Sequence, residues 1–385
     1  MTNQDKIARR FFWLTQMLIA APTYACSEER LASGLEQTQN PSVISLFCGA
    51  GGLDVGFSQA GFDIALAADF DPAAVNTHNR NFSANSAIEA DLLATSPERF
   101  VALVVEKCAG IRPVGIIGGP PCQGFSRANA QRSSSDPRNE LANRYASIVN
   151  ALTRIFPIKF FIFENVPEIL AVQNREFLAS LKKRLNQKFI LSTSTLNAAD
   201  FGVPQKRVRF FMAGVRREID ACAFQFPKGN HSHVTVKEAI GHLPEATLFE
   251  KSLTPEDIAH HPNHWTMRPK SHRFISKSVG NRPGRCFVQL DWNKPSRTVA
   301  YGHREIHVHP EGHRRLTIYE AMLLQGFPTA YQLMGTLSQQ VTQVSNAVPP
   351  PLASALANKL AVDLKIIDFL RAVGSESNDE VNRGK

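Results

Sequence analysis

A chain of 385 residues, 43% of them hydrophobic, can bury one large core and a smaller one, and its composition is that of an ordinary globular protein. The formal net charge of +9 and the pI near 9.3 favour a polyanionic partner, nucleic acid first. Six cysteines with no CxxC pair argue against a disulfide framework or a Cys-rich zinc site and fit a reducing compartment.

The chain opens with Lys6, Arg9 and Arg10 ahead of an apolar run over 11–21, the order of a short signal peptide. Thr15 and Gln16 interrupt that run, which is also too short to span a bilayer, so an amphipathic helix docked on the main domain is expected and secretion is not. From 41 to about 215, strand candidates at 43–47, 64–68, 114–117, 160–163, 189–196 and 209–213 alternate with helical stretches at 72–81, 97–108, 139–155 and 174–186. The alternation predicts an α/β fold, a doubly wound and mostly parallel sheet covered on both faces. Between about 217 and 315 the pattern dissolves into Pro, His, Asn and Arg, which reads as a second, smaller and irregular domain. Helical periodicity returns at 317–324 and 352–370, and the polar tail beyond reads as disordered.

The first strand runs into Cys48-Gly49-Ala50-Gly51-Gly52, with a helix expected near Leu53: the opening of a nucleotide-type pocket. The third glycine of a dinucleotide fingerprint is replaced by Asp54, whose charge would repel a pyrophosphate, so a nucleoside without one is expected. Asp69 ends the second strand about twenty residues on, where an acid binds ribose hydroxyls, and Phe70 beside it offers a stacking face for adenine. Asp91 follows the next strand and is placed to accept from an exocyclic amine. Helix capping is the plainer role for each aspartate, as Asp71-Pro72 illustrates.

The segment Gly118-Gly119-Pro120-Pro121-Cys122-Gln123-Gly124-Phe125-Ser126 carries the most chemistry. It presents a thiol on a braced turn at the carboxyl end of a strand, where open α/β sheets hold their reactive groups. The strand at 160–163 delivers Glu164 and Asn165 to the same edge, and partial desolvation raises a carboxyl pKa toward the range useful for proton transfer. In Gln205-Lys206-Arg207-Val208-Arg209, the two arginines are expected on one side of a strand, able to hold an anion or polarise a carbonyl.

Taken in order, the blocks SLFCGAGG, aspartates 69 and 91, GGPPCQGFS, FENV, QKRVRFF, PSRT, RRLTIYEAMLLQGFP and QVSNAVPPPLASALA resemble the DNA (cytosine-5) methyltransferase family over about residues 41–365. The resemblance implies a Rossmann-like methyltransferase sheet and an S-adenosylmethionine site formed by Phe47, Gly49, Gly51, Asp69, Phe70, Asp91, Pro120 and Asn346. It implies attack by Cys122 on carbon 6 of a flipped cytosine. Glu164 acts on ring nitrogen 3, Arg209 on the base carbonyl, and Arg207 joins them as a catalytic group. Two departures stand out: Asp69 where the family usually has Glu, and Ser345-Asn346 where Gly-Asn is commoner. The implied organisation is an N-terminal extension (1–40), a catalytic and cofactor-binding domain (41–216), a small target-recognition domain (217–335), a C-terminal segment returning to the catalytic domain (336–372) and a disordered tail (373–385). The implied partners are duplex DNA and a cognate restriction endonuclease encoded nearby, for a monomer of the cytoplasm or nucleoid with no membrane association.

Site choice is expected in 217–295, where His260, His261, His264 and His272, with Arg268, Lys270 and Arg273, are candidates to touch phosphates or base edges. No metal is expected: these histidines come without partnered cysteines or close carboxylates, and the group at 303, 307, 309 and 313 is discounted in the same way. Two rivals remain: a tRNA methyltransferase of the same fold, which tends to lack a sizeable recognition domain, and a catalytically inactive DNA-binding homologue, which intact Cys122, Glu164 and Arg209 disfavour.

Overall fold

The computed structural model describes residues 40–366 except 84–85, 122–138, 220–221, 231–232, 251, 255–256, 271, 276–287 and 299–306. The expectations for the N-terminal helix, for Cys122 and for the tail lie outside these residues.

Seven strands form the main sheet: β1 (Ser42–Leu46), β2 (Asp63–Asp69), β3 (Ala87–Glu89), β4 (Gly115–Gly118), β5 (Phe160–Asn165), β6 (Phe189–Asn197) and β7 (Val208–Arg216). Their order is β3-β2-β1-β4-β5-β7-β6. The first five are mutually parallel, whereas β7 runs antiparallel between β5 and β6. The chain moves outward from β1 to β3 on one side and resumes at β4 on the other. The carboxyl ends of β1 and β4 therefore border the crevice where the winding reverses, with Leu46 paired to Gly118.

Burial explains why these segments are strands. All residues of β1, β4 and β5 are buried, as continuous apolar runs require when helices cover both faces. Side chains alternate across the sheet: Phe161 and Phe163 enter the core with α3 (Pro97–Lys107), α4 (Asn139–Leu152) and α5 (Arg175–Asn186). Phe160 and Ile162 enter the opposite core with α1 (Gly52–Gln59) and α9 (Pro350–Asp363). Each such phenylalanine contributes roughly 1.5–3 kcal/mol by leaving water. A third cluster joins α6 (Val236–Ile240), α7 (Ile318–Leu324) and α8 (Leu337–Asn346) to Ala50 and Val55 of the first turn and α1. Helix α2 (Pro72–Asn81) has the expected bounds, with Asp71 accepting from the Ala73 amide and Pro72 at the first helical position.

Two local features depart from the sequence reading. The first strand ends at Leu46, because Phe47 turns into the left-handed region at φ 55°. Helix α8 is not evident from its residues, since Val341, Thr342, Val344, Ser345 and Asn346 are modest helix formers. A reciprocal cap between Thr336 and Gln339 starts it, and burial of Val341 and Val344 sustains it.

Candidate active site

At the end of β1, Phe47, Gly49 and Gly51 all have positive φ (55°, 53° and 73°), so the backbone coils tightly before α1 begins at Gly52. Asp69 holds this turn from β2: Oδ2 accepts from the Gly49 amide at 2.8 Å and Oδ1 from the Asp71 amide at 3.0 Å. Burial pushes its carboxyl pKa up, against the lowering effect of those amides. Phe70, next in the chain, is 66% exposed. Asp91 is exposed, and its Oδ1 accepts from the amides of Leu93 and Ala94. Tyr331 braces the turn from behind by donating to the Ala50 carbonyl at 2.6 Å.

Asp54 does not act as expected. Its side chain is fully buried, 3.6 Å from His78 Nε2, so its charge does not face the mouth of the turn. Every residue of α1 from Gly52 to Phe57 is buried, so Asp54 is enclosed with its neighbours.

One strand over, β4 ends at Gly118 and leads through Gly119, Pro120 and Pro121 toward Cys122. This leader is fastened to the end of β5. Asn165 Nδ2 donates to the Pro120 carbonyl at 3.2 Å, and a Cβ on Gly119 would lie only 2.7 Å from Glu164 Oε2. Glu164 is 8% exposed and pairs through Oε1 with Arg209 Nε at 3.1 Å. Burial raises its pKa, and the guanidinium groups of Arg209 and then Arg207 oppose that shift. The result is a carboxyl group that holds its proton more tightly than an ordinary glutamate.

The two arginines do not share a face. The ladder breaks at Arg207, between the short strand Gln205–Lys206 and β7, so the two-residue alternation of a continuous strand does not apply. Arg207 is fully buried and donates through Nη2 to the Ser345 carbonyl at 2.7 Å, whereas Arg209 reaches Glu164. Gln205 and Gln325, which sequence reasoning missed, extend this link. Gln205 Nε2 donates to Gln325 Oε1 at 2.7 Å, and Gln325 Nε2 to the Ala347 carbonyl at 2.6 Å. Asn346, exposed at the end of α8, is thus held between two anchored carbonyls, while Val348 abuts Gly52. The signal for Gln325 was a polar residue directly after the apolar run 321–324.

The histidines also divide. His261 and His264 are buried around Tyr319, with His261 stacked at 4.1 Å on its ring. His264 bridges the Pro244 carbonyl at 3.0 Å and Thr317 Oγ1 at 3.1 Å. Burial drives the His261 pKa down to about 4, so it is neutral near pH 7. Neither is available to DNA, in contrast to the sequence expectation. His260, Arg268, Lys270 and His272 are exposed.

The leader to Cys122, a buried carboxyl group and a glycine turn thus lie along one crevice, and comparison gives the same direction. The model of the C-5 cytosine-specific DNA methylase family matches residues 42–361. The chain belongs to the C-5 cytosine-specific DNA methylase family. The Type II methyltransferase M1.HphI of Haemophilus parahaemolyticus is 32% identical over 350 residues, covering 86% of this chain and 90% of that protein. The Type II methyltransferase M.MthTI of Methanothermobacter thermautotrophicus is 31% identical over 353 residues, covering 85% and 98%. A crystal structure described as a DNA modification methyltransferase of an E. coli prophage matches with a TM-score of 0.64 at 26% identity, over 84% of this chain and 99% of that one. The family's chemistry is methyl transfer to carbon 5 of cytosine in DNA, and methyltransferases in general draw the methyl group from S-adenosylmethionine. Among the described residues of this family member, no helix is long and apolar enough to cross a membrane.

Proposed function

We propose that this chain transfers a methyl group from S-adenosylmethionine to carbon 5 of a cytosine flipped out of a specific duplex DNA sequence, through a covalent bond between Cys122 and carbon 6. The observation that carries this reading is the Glu164–Arg209 pair at 3.1 Å, packed against Gly119 on the leader to Cys122. It puts a proton-holding carboxyl group and a fixed cation beside the leader that ends at Cys122.

The glycine turn fits the cofactor. Among the described residues, a Cβ on Gly49 would meet nothing within 4 Å, so the turn is open on that side. Phe47, Gly49, Gly51 and Pro120 would line the site, Phe70 offers an exposed ring for adenine, and Asp91 and Asn346 present exposed polar groups. Asp69 keeps further lone pairs for ribose hydroxyls beside the two amides it accepts. When bound, S-adenosylmethionine supplies an electrophilic sulfonium methyl.

Carbon 5 of cytosine is too weak a nucleophile by itself. The Cys122 thiolate adds to carbon 6, forming a C–S bond and sending an electron pair into the ring, so that carbon 5 becomes the nucleophilic end of an enamine. Glu164 holds the proton at ring nitrogen 3 that stabilises this form, and Arg209 fixes both Glu164 and the base carbonyl. Once carbon 5 has taken the methyl group, loss of its proton to water breaks the C–S bond and returns the thiolate. Arg207 supports the site through Ser345 and through its field at Glu164. Flipping costs a few kcal/mol, offset by contacts in the pocket and along the backbone. Residues 217–335 would form the recognition domain, with site choice in 217–295. The Type II designation of the relatives extends the proposal to a cognate endonuclease as functional partner.

Bisulfite sequencing of unmethylated genomic DNA treated with the enzyme identifies the target. A duplex carrying 5-fluorocytosine there should trap a denaturation-resistant complex, because no proton is left to leave from carbon 5, and Cys122→Ala should trap none. An active enzyme that forms no adduct would refute the covalent route.

A further inference from the structure

Glu311 lies between His309 and His313 in the sequence, and folding brings Glu245 and Glu320 beside the same two rings. His309, Glu311 and His313 lie on one turn, closed by the His309 amide to the Arg314 carbonyl at 2.9 Å and the Gly312 amide to the His309 carbonyl at 2.8 Å. One donor atom from each of the three side chains lies within 4.8 Å of the other two. Both rings turn Nδ1 toward Glu311. His313 Nδ1 is 3.5 Å from Glu311 Oε2, and His309 Nδ1 accepts from the Glu311 amide at 3.3 Å. Both Nε2 atoms face carboxylates instead, His313 at 3.2 Å from Glu245 Oε1 and His309 at 3.9 Å from Glu320 Oε1.

His313 has the arrangement of a metal-ligating imidazole, which passes its second ring N–H to a carboxylate, here Glu245, and so fixes the tautomer that leaves a lone pair for the ion. At His309 the Nδ1 lone pair now accepts from the Glu311 amide at 3.3 Å, a long bond that the ion would replace, and Nε2 lies beyond hydrogen-bond distance of Glu320. Ligand atoms on one tetrahedral zinc ion, bonded at ~2.0–2.1 Å, sit roughly 3.3 Å apart, close to the separation already present between His313 and Glu311. Arg314 orders the two outer carboxylates, with Nε at 2.9 Å from Glu245 Oε1 and Nη2 at 2.8 Å from Glu320 Oε1. Its charge opposes a cation, but Glu245, Glu311 and Glu320 together outweigh it.

We propose that His309, Glu311 and His313 form a three-ligand site for a divalent transition-metal ion of zinc type, with Glu320 and Glu245 as outer carboxylates and water at the fourth position. The ion fastens the turn ahead of α7 to the segment carrying Glu245 and takes no part in methyl transfer.

Full-length protein, freed of any affinity tag and stripped with a chelator, is titrated with Zn²⁺ by calorimetry and with Co²⁺ by visible absorption. One ion should bind per chain with a dissociation constant below ~100 μM and a tetrahedral cobalt spectrum. His313→Ala and Glu311→Gln, both exposed positions, should weaken binding at least about tenfold, and Glu245→Gln by about 10–100-fold. His260→Ala, an exposed histidine outside the turn, should leave it unchanged, and circular dichroism confirms that each variant is folded. Binding weaker than ~100 μM, or equally tight in His313→Ala and Glu311→Gln, overturns the site.

Discussion

Glu164 sits at the end of an apolar strand with a guanidinium 3.1 Å away, and burial outweighs that cation in setting its pKa. Because the folded protein holds this proton more tightly than the unfolded chain does, stability falls as pH rises from the ordinary carboxyl range through the folded pKa. A Gln in its place does not titrate. The melting temperature of Glu164→Gln relative to the parent should therefore climb as pH rises above the ordinary carboxyl range of about 4, while turnover drops by about 10²–10⁴. A flat difference in Tm above that range would mean that the buried carboxyl is not perturbed. Cys122→Ala should abolish methyl transfer yet leave DNA binding largely intact in a gel-shift assay, since one thiol is a small part of the interface. Residual turnover near the parent level would remove Cys122 from its role.

The ends of β1, β4 and β5 act together because neighbouring strands place Leu46, Gly118 and Phe163 in one row. The residues just beyond that row carry the proposed chemistry, and their fastenings are testable. Gly119→Ala puts a methyl group 2.7 Å from Glu164 Oε2, so that the carboxylate must shift relative to Arg209. A misplacement of this size should reduce kcat by about tenfold to a hundredfold, with cofactor affinity unchanged. Unaltered kcat would show that Glu164 has room to relax. On the other side of the crevice, Tyr331→Phe removes the bond to the Ala50 carbonyl behind the glycine turn. It should cost about 1–3 kcal/mol of stability and raise the KM for S-adenosylmethionine before it lowers kcat. A loss confined to kcat would place Tyr331 elsewhere in the mechanism.

At the scale of the molecule, the net charge of +9 and the exposed Arg268 and Lys270 bear on DNA affinity. The proposal assigns the chemistry, common to any cytosine, to the sheet half and site choice to the 217–295 segment. Replacing Arg268 or Lys270 with Ala should weaken binding to all sequences and flatten the slope of log K against log salt by about one unit if the residue meets a phosphate. A residue that reads a base edge should instead relax one position of the site, by about 1–3 kcal/mol. Exchanging 217–295 for the segment of a relative with a different target should transfer the methylated sequence, as read by bisulfite sequencing. An unchanged target would move specificity outside it.

The sequence by itself determined the alternating strands and helices, the glycine turn and the loop leading to Cys122, because these depend on local apolar runs, prolines and glycines. It marked Glu164 through the strand that ends there. Only tertiary structure decided what polar side chains do when their partners lie far along the chain. Arg207 and Arg209 look equivalent in sequence, yet one is buried on the Ser345 carbonyl and the other pairs with Glu164. Asp54 looked like a charge facing the ligand until the helix turned it inward against His78. His261 and His264 looked like DNA contacts until Tyr319 covered them. Helix α8 draws its stability from a cap and from burial against distant residues, not from the propensity of its own. Burial and pairing belong to the folded chain, and local pattern carries no record of them.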